Sequence, residues 1–204
     1  MKVRRTALLL LAGLALGELF YVGAFEWAAA SGRLERWVNR RPDKVHFAFR
    51  DAHSWFPFRV HLAGLDLTVQ TPRLQWRLRC DEVSGWIAPA PLLTRRLRVE
   101  SATATGVEFG LRRRAGSPQE AAAREALLPP IAAFPLTGTP ARPLPVRPAW
   151  NFEFPRVSAG QVRSIWIEQL RLHGDLQATG GFAIRRRTEA EVESSQLEIT
   201  AGVL

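Results

Sequence analysis

Residues 58–79 read FRVHLAGLDLTVQTPRLQWRLR, and the alternation within them sets the first expectation. Val60 and Leu62 alternate with polar residues; after Gly64 the phase slips, and Leu65, Leu67 and Val69 carry the alternation on. Past Gln70-Thr71-Pro72 it resumes, with Leu74, Trp76, Leu78 and Cys80 set against Arg73, Gln75, Arg77 and Arg79. Successive strand side chains point to opposite faces, so both runs build one apolar face and one solvated face. A phase slip at a glycine marks a bulge, and a bulge bends its strand. The stretch predicts two linked strands at the heart of a curved sheet.

Upstream, Val45, Phe47 and Phe49 predict an earlier strand, and residues 51–57 a turn rich in aromatics. Downstream, Trp86 and Ile87 precede a Pro-Ala-Pro break. Leu97 and Val99 restart the pattern, and Val107, Phe109 and Leu111 repeat it after Gly106. Several strands joined by turns, without a long helix, argue an antiparallel block over residues 45–114. Ser117-Pro118-Gln119-Glu120 predicts a helix start, with a Ser cap, Pro in the first turn and Glu completing a capping box. Residues 118–155 hold nine of the fourteen prolines. Proline offers no amide to a ladder, so residues 115–156 read as a short helix and a proline-rich linker outside the sheet. Val162, Ile165, Ile167, Leu170, Leu172 and Leu176 then restore the pattern, a second β block over residues 157–204.

Residues 7–25 run nineteen positions with Glu18 as the only charge. As a helix this is roughly 28 Å, about the thickness of a bilayer core. Ala28-Ala29-Ala30 and Ala15-Leu16-Gly17 both fit a small-residue cleavage pattern. Against the first, the leucine-rich core ends far upstream; against the second, an apolar stretch would open the mature chain. Residues 1–30 are therefore read as an uncleaved signal anchor, a single transmembrane helix. Lys2, Arg4 and Arg5 before it place the N-terminus in the cytoplasm and the bulk of the chain outside. Residues 31–44 predict a juxtamembrane helix with Leu34, Trp37 and Val38 on one face.

Composition changes this picture little. Formal net charge is +9, and Lys2 and Lys44 are the only lysines among 28 cationic residues. Clustered cations suit nucleic acid, but a chain outside the cytoplasm meets little of it, so the arginines are assigned to solvated strand faces and lipid head groups. Cys80 is the only cysteine and falls in an apolar phase, which excludes an internal disulfide. The four histidines show no metal-binding spacing, and no nucleophile elbow or phosphate loop occurs. No catalytic residue, metal or cofactor is assigned, and the chain is read as no enzyme.

What remains is a large apolar face. Val60, Leu62, Leu65, Leu67, Leu74, Trp76 and Leu78 are its candidate residues. Two stacked sheets would bury it as a sandwich core; an open groove would receive acyl chains. The pattern alone favours neither.

A signal anchor, a short basic helix (LERWVNRR) and VHFAFRDAHSWFPFRVHLAGLDL together resemble the start of the AsmA-like family, which includes the TamB-type bridges of the bacterial envelope. Phe56-Pro57 followed by 60–67 (VHLAGLDL) matches its aromatic-proline approach to a "v-x-l-x-gl-x-l" strand. Pro91-Leu92-Leu93, Leu97-Arg98-Val99 and Gly106-Val107-Glu108-Phe109 resemble the block that follows. The likeness covers residues 1–114, with a looser echo from 157. It implies a mainly β protein with a U-shaped antiparallel groove, a single inner-membrane anchor and a periplasmic body. It implies phospholipid or another acyl lipid as ligand, and a role in lipid transport or outer-membrane assembly. The chain is much shorter than such bridges, and the proline-rich stretch interrupts the pattern. The alternative is an anchored component of a secretion or outer-membrane machine that pairs with an envelope β protein by its sheet edge.

Overall fold

The computed structural model describes residues 2–71, 73–137, 151–185 and 189–203. Helix α1 (Lys2–Ala30) and the short α2 (Arg33–Val38) lead into strands β1 (Val45–Ala48), β2 (Asp51–Phe56), β3 (Arg59–Gln70) and β4 (Leu74–Ile87). A single turn, α3 (Pro89–Leu92), precedes β5 (Arg96–Thr105) and β6 (Glu108–Arg113). Helix α4 (Pro118–Arg124) follows, and β7 (Asn151–Ile167), β8 (Leu170–Arg185) and β9 (Glu189–Val203) complete the sheet.

All nine strands join one sheet. The two β blocks expected from the sequence are thus continuous. The sheet is mixed and not antiparallel throughout: β7 runs parallel to both β5 and β6, while the other pairings are antiparallel. Parallel neighbours need a crossover of a dozen residues or more. The excursion between Arg113 and Asn151 supplies it, and its described part holds only short helices, which is why the absence of a long helix misled the antiparallel expectation. Residues 51–57, expected as a turn, form β2 through Phe56, paired to β3. Residues 151–156, expected in the linker, open β7, where Pro155 coincides with a register shift between Phe154 and Val157.

A transverse line of irregularity crosses the strands. β1 gives way to β2 at Phe49-Arg50, and β5 to β6 at Gly106-Val107. Between them lie Gly64 in β3 (φ +65°) and Asp81 in β4; beyond lies Gln161 in β7 (φ +52°), with Gly106 itself at φ +63°. Register sets these side by side, since Ala63 faces Glu82, Glu82 faces Thr105 and Thr105 faces Gly160. The left-handed conformation suits glycine at two of these points. A Cβ on Gly106 would fall onto the Asp81 carboxylate, and one on Gly64 would lie 2.9 Å from Arg50 Cβ. Asp81 is also gripped by both terminal nitrogens of Arg163.

This line is the crease of the sheet, and on one face the side chains along it are apolar. Leu65, Cys80, Val107 and Val162 lie along it and are only 7%, 4%, 7% and 2% exposed. Their apolar neighbours to either side, including Leu62, Leu67, Leu78 and Ile165, are only partly buried. Burial on this face extends beyond the line at Ala52, 3% exposed on β2 beside α1; a bend along the line would shelter the four residues it runs through.

Around the sheet, α1 and α2 cover the β1–β2 edge. The Asn39 amide donates to the Phe47 carbonyl and accepts from its N–H, both at 2.7 Å. Phe49 N–H donates to Glu35 and Ser54 N–H to Glu26. Side chains thus satisfy edge donors that another chain could otherwise pair with. Among the described residues no helix is long and apolar enough to cross a membrane. The side chains of Leu8, Leu9, Leu10, Leu11 and Leu14 lie outside the described residues.

The Ser117 hydroxyl caps α4 by accepting from Glu120 N–H, and the Glu120 carboxylate reaches back to Gly116 N–H, one residue before the expected box partner. Residues 115–137 lie outside the sheet, as expected, but they are packed down as no linker would be. Leu128, Ile131, Phe134 and Leu136 are buried. Pro129 sits over Gly110, where a Cβ would come within 3.2 Å of it. The remaining proline-rich residues, 138–150, lie outside the described ones. Arg112 holds this cap. It is 5% exposed and donates to Gln75 Oε1 (2.8 Å) and to the carbonyls of Pro129 (3.0 Å), Ile131 (3.4 Å) and Phe134 (2.9 Å). Prolines leave a loop with more acceptors than donors, and a guanidinium supplies five donors in a fixed fork. Burial pulls the Arg112 guanidinium below its ordinary value, with Glu125 pulling the other way.

The crease generates a prediction of opposite signs. Gly64→Ala and Gly106→Ala are each expected to cost about 2 kcal/mol or more through backbone strain and crowding. Gln161→Gly is expected to be neutral or to stabilise by up to about 1 kcal/mol. Urea unfolding of the three variants checks this; equal destabilisation at all three positions would contradict the crease.

Candidate functional apolar face

Strand alternation decides which side chains share a face, and register decides which meet. On one side of the crease Phe47, Leu67, Leu78, Phe109, Ile165 and Leu172 face one another in order across six strands. An outer row repeats this with Val45, Val69, Trp76, Leu111, Ile167 and Leu170. On the other side Ala52, Leu62, Val83, Ala104, Ala159 and Ala178 form a row of smaller residues. The face is therefore deep and bulky at one end and shallow at the other.

The seven residues read from the sequence occupy this one face. Leu65 is buried on the crease opposite Cys80, and Leu67 lies opposite Leu78. Leu62 faces Val83 and Val60 faces Gly85, past the crease. Trp76 belongs to the outer row, and Leu74 stands at its mouth, 37% exposed, opposite Arg113. The phase slip at Gly64 is what keeps Val60 and Leu62 on the same side as Leu65 and Leu67. Sequence reading missed Phe47, Val83, Phe109, Ile165 and Leu172 as members of the site. Each was visible as an alternating apolar position, but the register that joins them is not written in any one strand.

The opposite face carries the charge. Ala48, Asp66, Arg79, Glu108, Ser164 and His173 form one of its rows. Arg77 donates to both Asp66 oxygens, at 3.0 and 2.5 Å, and Arg79 to one at 3.2 Å. Burial raises the Asp66 carboxyl, but Arg77 and Arg79 outweigh it and hold it below its ordinary value. A cleft of about 320 Å³ opens here, lined by Arg77, Arg79, Glu108, Arg163, Trp166 and Arg171 among others. Its arginines are largely engaged, with Asp66, Glu108 and Asp81 as carboxylate partners and Arg171 lying 4.7 Å over the Trp166 ring. The cap over Gln75 and Arg112 also lies on this side. Among the described residues, α1 packs against β2 at the edge of the apolar face, and no helix or second sheet is packed across β3, β4, β6, β7 and β8 on that side.

A second cleft, about 540 Å³, separates α1 from β2 and is lined by Ala15, Glu18, Leu19, Val22 and Glu26 facing His53, Ser54 and Trp55. Glu18, the one charge within residues 7–25, thus faces the sheet, while Leu16 and Phe20 are exposed on the helix.

Burial, with the Asp81 charge beside it, pushes the Cys80 thiol up to about 11. Between its ordinary value of 9.0 and that point the folded chain keeps a proton the unfolded chain has lost, so this contribution to stability falls as pH rises through the window. Cys80→Ala is expected to remove that component, at most roughly 2 kcal/mol between pH 8 and 11. Parallel denaturation of parent and variant measures it; identical pH slopes would place the thiol in water and off the crease. Comparison of the chain with protein-family models, with curated proteins and with solved structures gave no match.

Proposed function

We propose that this chain is a membrane-anchored protein of the bacterial cell envelope whose creased apolar face holds the acyl chains of a phospholipid. The observation that carries the reading is a contrast in coverage. An apolar face runs in register across six strands with nothing described above it, while the helices cover the sheet's edge and the cap covers its charged face. Leaving such a face to water is costly at about 25 cal/mol per Å², and an exposed apolar area of this extent marks a binding surface. The resemblance to AsmA-like proteins points the same way, toward inner-membrane anchoring through residues 7–25 and a role in lipid transport or outer-membrane assembly. The role is one of binding and not of catalysis, and nucleic acid has no part in it.

One observation favours a second reading. β9 ends the strand order, fifteen residues long, and no strand among the described residues pairs with its outer edge. Such an edge can accept a strand from an envelope β protein by augmentation.

Charge substitution separates a crease from a groove. Leu65→Asp puts a carboxylate in a dry site and is expected to unfold the domain, at a cost of several kcal/mol. Leu67→Asp, one step off the crease, is expected to leave it folded and to cut crosslinking to a diazirine-labelled phosphatidylglycerol roughly tenfold. Thermal melting and crosslinking on the same samples measure both. An unfolded Leu67→Asp chain, or one that crosslinks like the parent, would overturn the lipid reading. A stoichiometric protein partner with no co-purified lipid would favour the second.

A further inference from the structure

The β2–β3 turn and the β4–β5 connection meet at one end of the sheet. Phe56 faces Arg59, and Arg59 faces Trp86. Ile87 N–H donates to the Phe58 carbonyl and Ala88 N–H to that of Arg98, which ties α3 and Leu93 into the same end. This end is apolar where a soluble surface would not be. Trp55 is 81% exposed and Leu93 89%, with Phe56 and Trp86 about half exposed beside them. Arg59, Arg95 and Arg96 ring the cluster, all exposed.

Its position along α1 is fixed by a strained residue. Phe58 has φ +65°, a conformation glycine usually takes at this place in a turn after proline. A bulky residue there costs of order 1 kcal/mol or more and persists only where something holds it. The Tyr21 ring does, 5.4 Å from that of Phe58. β2 runs back along the helix, Ser54 meeting Glu26 and Trp55 sharing a cleft with Ala15, Leu19 and Val22. Tyr21 lies four residues inside the end of the apolar stretch at Phe25, which is about 6 Å along a helix axis.

Resting on the anchor reading above, we infer that this end of the sheet is seated in the bilayer that holds α1. Trp55, Phe56, Trp86 and Leu93 lie in the headgroup–acyl boundary, and Arg59, Arg95 and Arg96 meet anionic headgroups. The depth of about 6 Å that Tyr21 sets for Phe58 falls within the 5–10 Å at which interfacial apolar groups settle, and Trp55, in a cleft with Leu19 and Ala15, reaches deeper. Tryptophan and arginine are the residues suited to that layer, the one amphipathic and the other reaching phosphate in a fork. The shallow end of the apolar face then opens at the membrane surface, and the deep Trp76 end points away from it. The partner is a phosphatidylglycerol-containing bilayer.

The test uses the full chain in vesicles of phosphatidylcholine and phosphatidylglycerol (3:1), with Cys80→Ala as background. Single cysteines from Ala24→Cys, Leu93→Cys and Ile167→Cys carry a fluorophore, and brominated lipids quench it. Ala24 reports the anchor, Leu93 the proposed seat and Ile167 the far end. Quenching is expected at Ala24 and Leu93, with Leu93 at least about fivefold above Ile167, and the Leu93 signal falls when phosphatidylglycerol is left out. Quenching at Ala24 alone would overturn the inference and leave the anchor standing. Quenching at Leu93 alone would overturn the anchor and keep the contact as a peripheral one. Equal quenching at Leu93 and Ile167, or none at any of the three, would overturn the inference.

Discussion

The rest of the sheet depends on the line where Gly64, Asp81, Gly106 and Gln161 cross it. Three left-handed residues abreast cannot be accommodated by a flat ladder, so the strands turn together. The turn pulls Leu65, Cys80, Val107 and Val162 into contact and gives a single sheet a core without a second layer. Asp81 makes the line specific. Its carboxylate occupies the space a Gly106 side chain would need and binds Arg163 from β7, so one residue ties β4, β5 and β7 at the fold.

Everything else follows from which surfaces that core leaves unsatisfied. Backbone donors at the β1–β2 edge are met by Glu26, Glu35 and Asn39, an arrangement that fixes α1 and α2 alongside. On the charged face, Arg112 and Gln75 sit where the sheet offers donors, and the proline-rich return offers carbonyls. The cap is thus a hydrogen-bonding solution as much as a hydrophobic one. Glu168 clasps it from the β7–β8 hairpin, accepting from Arg113 N–H and from Arg124 in α4. The apolar face receives no such treatment from any described element.

How much of this was legible in the sequence varied with the physics. Strand runs and the phase slip at Gly64 were, because alternation and a misplaced glycine are local. The capped helix at Ser117 was, apart from Glu120 reaching Gly116 instead of the cap residue. The parallel pairing of β7 was not, since crossover direction depends on where a long connection returns. Nor was β2. His53, Ser54 and Trp55 alternate by burial only because α1 lies against Ser54. Arg112 stands in a run of three arginines with no local signal to single it out; only its pairing opposite Gln75, under Pro129, sets it apart from Arg113.

The most direct test of a creased, open apolar face is methyl NMR of the full chain in nanodiscs containing a doxyl-labelled phospholipid. The account predicts strong broadening of the methyl signals of Leu67, Leu78, Ile165 and Leu172. Those of Leu128 and Ile131, buried within the cap on the opposite face, should keep their intensity. Uniform broadening of both sets, or crease-side methyls as sharp as those under the cap, would contradict it.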